Sequence, residues 1–133
     1  MSTKRNNHIQ KDKFYMKLAI NLAKKRIGLT GTNPSVGCII VKNERIIGFG
    51  YHNKSGEAHA EKNAINNVIE NKHDPEGSDI YITLEPCSHY GKTHPCCKLL
   101  HDYKISNVYI GIMDPDSRVS GNGIKYLKEQ NIN

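Results

Sequence analysis

No stretch of this 133-residue sequence approaches the ~20 consecutive apolar residues that a membrane span needs, and Met1 to Lys13 is polar and mixed where a secretory leader has an apolar run. The chain is therefore expected in the cytoplasm and off the membrane. It also lacks internal repeats and low-complexity blocks, and it is too short for a second catalytic domain, so one core spanning residues 1–133 is expected. Cysteines are few: Cys38, Cys87, Cys96 and Cys97. Without secretory signals they read as reduced thiols, and a pair accompanied by histidines then points to metal or catalytic chemistry, with a Cys87–Cys96 disulfide as the alternative. Acidic residues are scarce only at the start. Residues 1–26 hold eight Lys/Arg against Asp12 alone, whereas the rest of the chain carries eleven bases against twelve acids. The +6 net charge thus belongs to a flexible basic arm, residues 1–11, and to the first helix. The part carrying the chemistry is nearly neutral, so no nucleic-acid partner is expected.

What is present alternates between helix and strand. Asp12 can cap a helix in which Phe14, Leu18 and Leu22 form one row and Tyr15, Ala19 and Ala23 the next, with Lys24, Lys25 and Arg26 at its C-terminal dipole and Gly28 as its stop. Val36–Val41 and Ile46–Tyr51 read as an antiparallel hairpin turning through Lys42–Arg45. A helix near Ala58–Glu70, a strand at Ile80–Leu84, a short helix over Pro95–His101, a strand at Val108–Met113 and a helix near Gly123–Glu129 follow. That order predicts a layered α/β fold whose later strands are parallel.

Three short motifs carry the chemistry. His59 and Glu61, in Glu57-Ala58-His59-Ala60-Glu61, stand two residues apart at a predicted helix start. In mid-helix their side chains would diverge by roughly 200°, but at a first turn one can bind a metal while the other reaches over to a bound water. Leu84-Glu85-Pro86-Cys87 ends a strand, since Pro86 cannot join a ladder, and so delivers Cys87 at the carboxyl edge of the sheet. Thr93-His94-Pro95-Cys96 opens a helix, with Cys96 in a first turn that favours the thiolate. One His and two Cys leave the fourth position of a tetrahedral Zn2+ open, the mark of a catalytic rather than a structural zinc. Zinc brings its water to a pKa of about 7, and the resulting hydroxide attacks an electron-poor ring carbon bearing an exocyclic amine, with Glu61 carrying the protons. This follows the H-x-E with P-C-x-x-C pattern of zinc deaminases, except that eight residues rather than two separate Cys87 from Cys96. Singly, His-x-Glu is most often solvated surface and Pro-Cys a buried thiol; it is their order and placement together that point to a site. A non-enzymatic zinc module, with His94 or Cys97 as fourth ligand, is the reading in which Glu61 has no role.

Thr83 to Thr93 followed by Pro95-Cys96, Gly56 to Glu61, Asn33-Pro34-Ser35-Val36-Gly37 and Met113-Asp114-Pro115 together resemble the deaminase domain of the riboflavin-biosynthesis deaminase/reductase. The resemblance runs from about Phe14 to the end, and the long insertion between the cysteines distinguishes it from cytidine and transfer-RNA adenosine deaminases; a deaminase of another nucleoside, nucleotide or RNA base, best supported by the basic arm, is the alternative. It implies a cytidine-deaminase-like three-layer α/β/α sandwich with a mixed sheet, its last edge strand missing or cut short at Asn131–Asn133. It also implies deamination of 2,5-diamino-6-ribosylamino-pyrimidinone 5'-phosphate to the 5-amino-uracil ribosylamine phosphate. The family commonly joins this domain to a nicotinamide-dependent reductase, so a separate polypeptide is expected to carry the reduction. Related deaminases also assemble through helices and exposed edges, which leaves a homo-oligomer open.

For a phosphorylated small-molecule substrate the residues offer candidates of their own. Lys92, in the loop between the cysteines with Gly91 and Thr93, can hold the phosphate, or be an exposed loop lysine. Asn33 can pair with a pyrimidinone edge, or serve only as a turn residue before Pro34. His52 and Asp114 lie at strand ends, where α/β sheets place ligands; a surface histidine and a turn former are the plainer readings. Cys38 and Cys97 are expected to be bystanders, and His8, His73, His89 and His101 surface residues.

Overall fold

A computed structural model of the chain describes residues 3–24, 36–51, 59–84 and 96–112, together with Gly121 and Lys125. The elements in order are α1 (Thr3–Lys24), β1 (Gly37–Lys42), β2 (Arg45–Tyr51), α2 (Ala60–Glu70), β3 (Asp79–Leu84), α3 (Cys96–Asp102) and β4 (Asn107–Ile112). Every strand falls within about a residue of its expected position. The start of α1 does not. Nothing between Thr3 and Lys11 breaks a helix, so α1 begins at Thr3 and draws in residues read from sequence as an arm. Asp12 is therefore not a cap but a mid-helix residue, and its carboxylate accepts a 2.5 Å hydrogen bond from the Tyr81 hydroxyl. Gly28, the helix expected at 123–129 and the strand expected at 131–133 lie outside the described residues, except for Lys125, whose N–H donates to the Gly121 carbonyl at 2.9 Å.

The strands form one mixed sheet in the order β2-β1-β3-β4, antiparallel at the first two junctions and parallel at the last. The hairpin turns through Asn43 and Glu44 with φ of 52° and 63°, the left-handed pair of a two-residue turn that matches strand twist. Lys11 of α1 holds that turn from outside with a 2.6 Å ion pair to Glu44. A register shift between Ile40 and Val41 leaves Ile47 as an extra residue in β2. Alternation along the strands then separates two cores. Cys38, Ile40, Ile80 and Ile82 face α2 and α3, meeting Ala60, Ala64, Ile65, Val68, Leu100 and Ile105. Ile39, Val41 and Tyr81 face α1, meeting Ala19, with Tyr15, Leu18, Leu22 and Tyr109 at the margin. Helices thus cover both faces, and the expected three-layer arrangement is the observed one.

Each face has its own means of close approach. On one, β2 presents Gly48 and Gly50 to α2: a Cβ on Gly50 would overlap the Ala60 carbonyl oxygen and the Ala64 nitrogen, and one on Gly48 would overlap Val68. On the other, Gly37 admits Ala19. This is why the Tyr15, Ala19, Ala23 row of α1 turns inward while Phe14 stays 57% exposed. Tyr81 stacks on Tyr109 with ring centroids 4.4 Å apart, and Tyr15 leans on Tyr81 at 5.2 Å.

Two outcomes follow from these contacts. Gly50→Ala should lower the stability of the chain by about 1–3 kcal/mol, read from the denaturant midpoint, because backbone and not a flexible side chain occupies the space. Burial first, and then the bond to Asp12, push the Tyr81 hydroxyl above its usual range. The unfolded chain, with an ordinary tyrosine pKa of about 10, therefore loses this proton first. The contribution is whole below pH ~10 and declines above it, so Tyr81→Phe should cost about 1–2 kcal/mol at neutral pH and flatten the alkaline fall in stability.

Candidate active site

The sheet register brings one end of all four strands to a common edge. Tyr51, the last residue of β2, pairs with Gly37, the first of β1; Cys38 pairs with Ile82 near the end of β3; and Leu84 pairs with Ile112, the last of β4. Gly37 is further tied there by its N–H, which donates to Thr83 Oγ1 at 3.2 Å. Each of the loop-borne candidates adjoins this edge in sequence: Asn33 four residues before β1, His52 directly after β2, Cys87 three after β3 and Asp114 two after β4. Those four residues, and Lys92, lie outside the described residues.

Two elements aim their N-terminal ends at the same edge. Gly50 lies against Ala60 and Ala64 while Gly48 lies against Val68, so α2 runs antiparallel to β2 and starts beside Tyr51. α3 leads back to β4, whose first residue, Asn107, pairs with Asp79 at the far end of β3, so α3 starts on the near side. The two helices touch. His59 occupies the N-cap of α2 in extended conformation, φ −71° and ψ 167°, and makes no side-chain cap bond; Glu61 stands in the first turn. This is the arrangement that the His-x-Glu spacing required. Cys96 is the first residue of α3. Its side chain and that of Cys97 lie outside the described residues, as does Cys87, and among the described residues no three potential metal-holding side chains gather.

Glu61 is only 4% exposed, in the first turn of α2. Its charge reaches Cys38 on the strand below: burial first, and the Glu61 carboxylate second, push the Cys38 thiol well above its usual range. Cys38 is thus a neutral, fully buried thiol and takes no part as a thiolate. His73 and His101 are exposed, as expected. Sequence reasoning passed over Asn63, one turn beyond His59. Its side-chain amide donates to the Tyr51 carbonyl at 2.7 Å and its backbone N–H to the His59 carbonyl at 3.1 Å. A polar residue one helical turn after the histidine, on a helix expected to pack against the preceding strand, was the available signal.

Residues 9–112 match the model of the cytidine and deoxycytidylate deaminase zinc-binding region. The chain belongs to this family. It is 50% identical over 122 residues to a diaminohydroxyphosphoribosylamino-pyrimidine deaminase of Buchnera aphidicola subsp. Schizaphis graminum, covering 92% of this chain and 81% of that protein. It is 54% identical to the riboflavin biosynthesis protein RibD of Buchnera aphidicola subsp. Baizongia pistaciae, again over 92% of this chain but 32% of that one. In structure it is similar to RibD of Acinetobacter baumannii, with a TM-score of 0.88 and 40% identity over 94% of this chain and 34% of the other. The chain therefore spans about a third of the length of the RibD proteins it matches and four-fifths of the shorter deaminase. The fold of this family member is cytidine-deaminase-like, as the motifs implied. No helix among the described residues is long and apolar enough to cross a membrane.

The state of Cys38 is open to a direct check. In the folded chain at pH 8 its peptide should remain unmodified after iodoacetamide treatment, whereas denaturation should expose it to complete alkylation, both read by mass spectrometry.

Proposed function

We propose that this chain is a cytoplasmic zinc-dependent hydrolase that deaminates a diaminohydroxyphosphoribosylaminopyrimidine, replacing the exocyclic amine by oxygen and releasing ammonia. The observation that carries the reading is Glu61, a carboxylate buried in the first turn of α2 two residues from His59, at the edge where the strands leading to His52, Cys87 and Asp114 end. The close relatives named for this deamination support the substrate class.

One imidazole and two thiolates, from His59, Cys87 and Cys96, are a donor set suited to Zn2+ with one position open. When bound there, zinc supplies Lewis acidity that makes water acidic near neutral pH. Glu61 accepts the proton of the attacking water and delivers it to the ring nitrogen. A second proton passes through the same carboxylate to the departing amine, so that water and the aminopyrimidine become the pyrimidinone and ammonia. Burial serves this shuttle by keeping bulk water from competing for the carboxylate. In this reading Asn33 is assigned to the pyrimidinone edge, Lys92 to the phosphate, and His52 and Asp114 to further substrate contacts.

Glu61→Gln separates proton transfer from metal binding, because it keeps shape and removes only the base. The variant should retain the zinc content of the wild type by elemental analysis while ammonia release falls by about three orders of magnitude or more. Retained turnover would sink the role given to Glu61. Assays against the ribosylaminopyrimidine phosphate, cytidine and deoxycytidylate in parallel should give ammonia from the first alone, and preference for either nucleoside compound would reassign the substrate.

A further inference from the structure

Helix starts are ordinarily fixed by a Ser, Thr, Asp or Asn at the N-cap, whose side chain takes up a free backbone N–H. α2 has His59 at that position, and the imidazole makes no cap bond. A metal-holding imidazole commits one ring nitrogen to the metal, and the turn that carries it gains from a separate anchor. Asn63 has the geometry of one. Through its backbone it closes the first helical turn onto the His59 carbonyl, at 3.1 Å, and through its side chain it grips the carbonyl of Tyr51, the last residue of β2, at 2.7 Å. The two ends of the segment 52–58 are thereby held by a single residue. The glycine track of β2 sets how near α2 lies to the sheet. The bond to Tyr51 adds a directional tie at the turn that carries His59.

We propose that Asn63 is a positioning residue for His59, setting where the imidazole stands relative to the edge of the sheet. The inference rests on the zinc reading given above. Asn67 provides an internal comparison. It lies one turn further along α2, and its side-chain oxygen accepts from the Phe49 N–H at 3.1 Å. The bond is of the same kind, from the same helix to the same strand, but away from His59. If Asn63 merely glued helix to sheet, the two would be equivalent.

The test compares Asn63→Ala and Asn63→Asp with Asn67→Ala, each loaded with zinc and challenged with a chromogenic chelator. Asn63→Asp is nearly isosteric and puts a carboxylate, which cannot donate to the Tyr51 carbonyl, in place of the amide, so it serves even if the alanine variant folds poorly. Both Asn63 variants should release zinc about tenfold faster than the wild type, the scale seen when a residue that orients a metal ligand is removed. Asn67→Ala should stay within about twofold. Cobalt-loaded protein should repeat the pattern, with an altered visible spectrum for the Asn63 variants and an unchanged one for Asn67→Ala. Equal release from all three, whether fast or slow, would overturn the positioning role. A wild-type chain that takes up no zinc would instead remove the metal reading and this inference with it.

Discussion

The contact on which the rest of the molecule depends is the approach of α2 to the two glycines of β2. Side chains on facing elements ordinarily hold a helix about 10 Å from a sheet, because their volumes must interdigitate. Gly48 and Gly50 remove those volumes at two successive inward positions, and the backbone of Ala60 and Ala64 settles into the space. The first turn of α2 is therefore seated against the last residues of an edge strand. Glu61 is carried below the surface although it is charged and sits at a helix start, where carboxylates are usually solvated. A deeper helix makes a deeper carboxylate.

The opposite face is built by another route. There α1 packs through small residues, Ala19 and Ala23, and through a row of tyrosines whose polar ends find partners, above all the bond from Tyr81 to Asp12. No site residue proposed above comes from α1. The layer instead closes the sheet from behind, and the Lys11–Glu44 pair extends its hold to the hairpin turn.

Much of this was legible in the sequence, for identifiable reasons. The strands announce themselves as short β-branched runs bounded by turn residues, and Val36–Val41 needed no more than that. The place of His59 and Glu61 at the start of α2 was readable from where the helix after the hairpin had to begin. The start of α1 was missed because Thr3–Lys11 is polar throughout: helix-tolerant residues without an apolar period leave no trace, and a plausible cap at Asp12 drew the boundary inward. The choice between its two rows, 100° apart, depended on Gly37, a residue in another element. The common edge at which Gly37, Tyr51, Leu84 and Ile112 meet is a matter of pairing between distant segments, which a linear pattern does not encode. Asn63 and Asn67 went unread for the same reason: their partners are backbone groups of a different element.

Those two asparagines also bear on how this sheet meets its surroundings. β2 is an outermost strand of the described sheet, and such a strand exposes a row of amides and carbonyls on which a strand from another molecule can build. Here the Phe49 amide and the Tyr51 carbonyl are already engaged by side chains of α2, two residues apart along the strand. An incoming strand would find this stretch of the border occupied and would have to break bonds to extend the sheet. The helix that carries the candidate base thus also guards the border of its own sheet against growth, although both Ile46 and Phe49 stand nearly half exposed there.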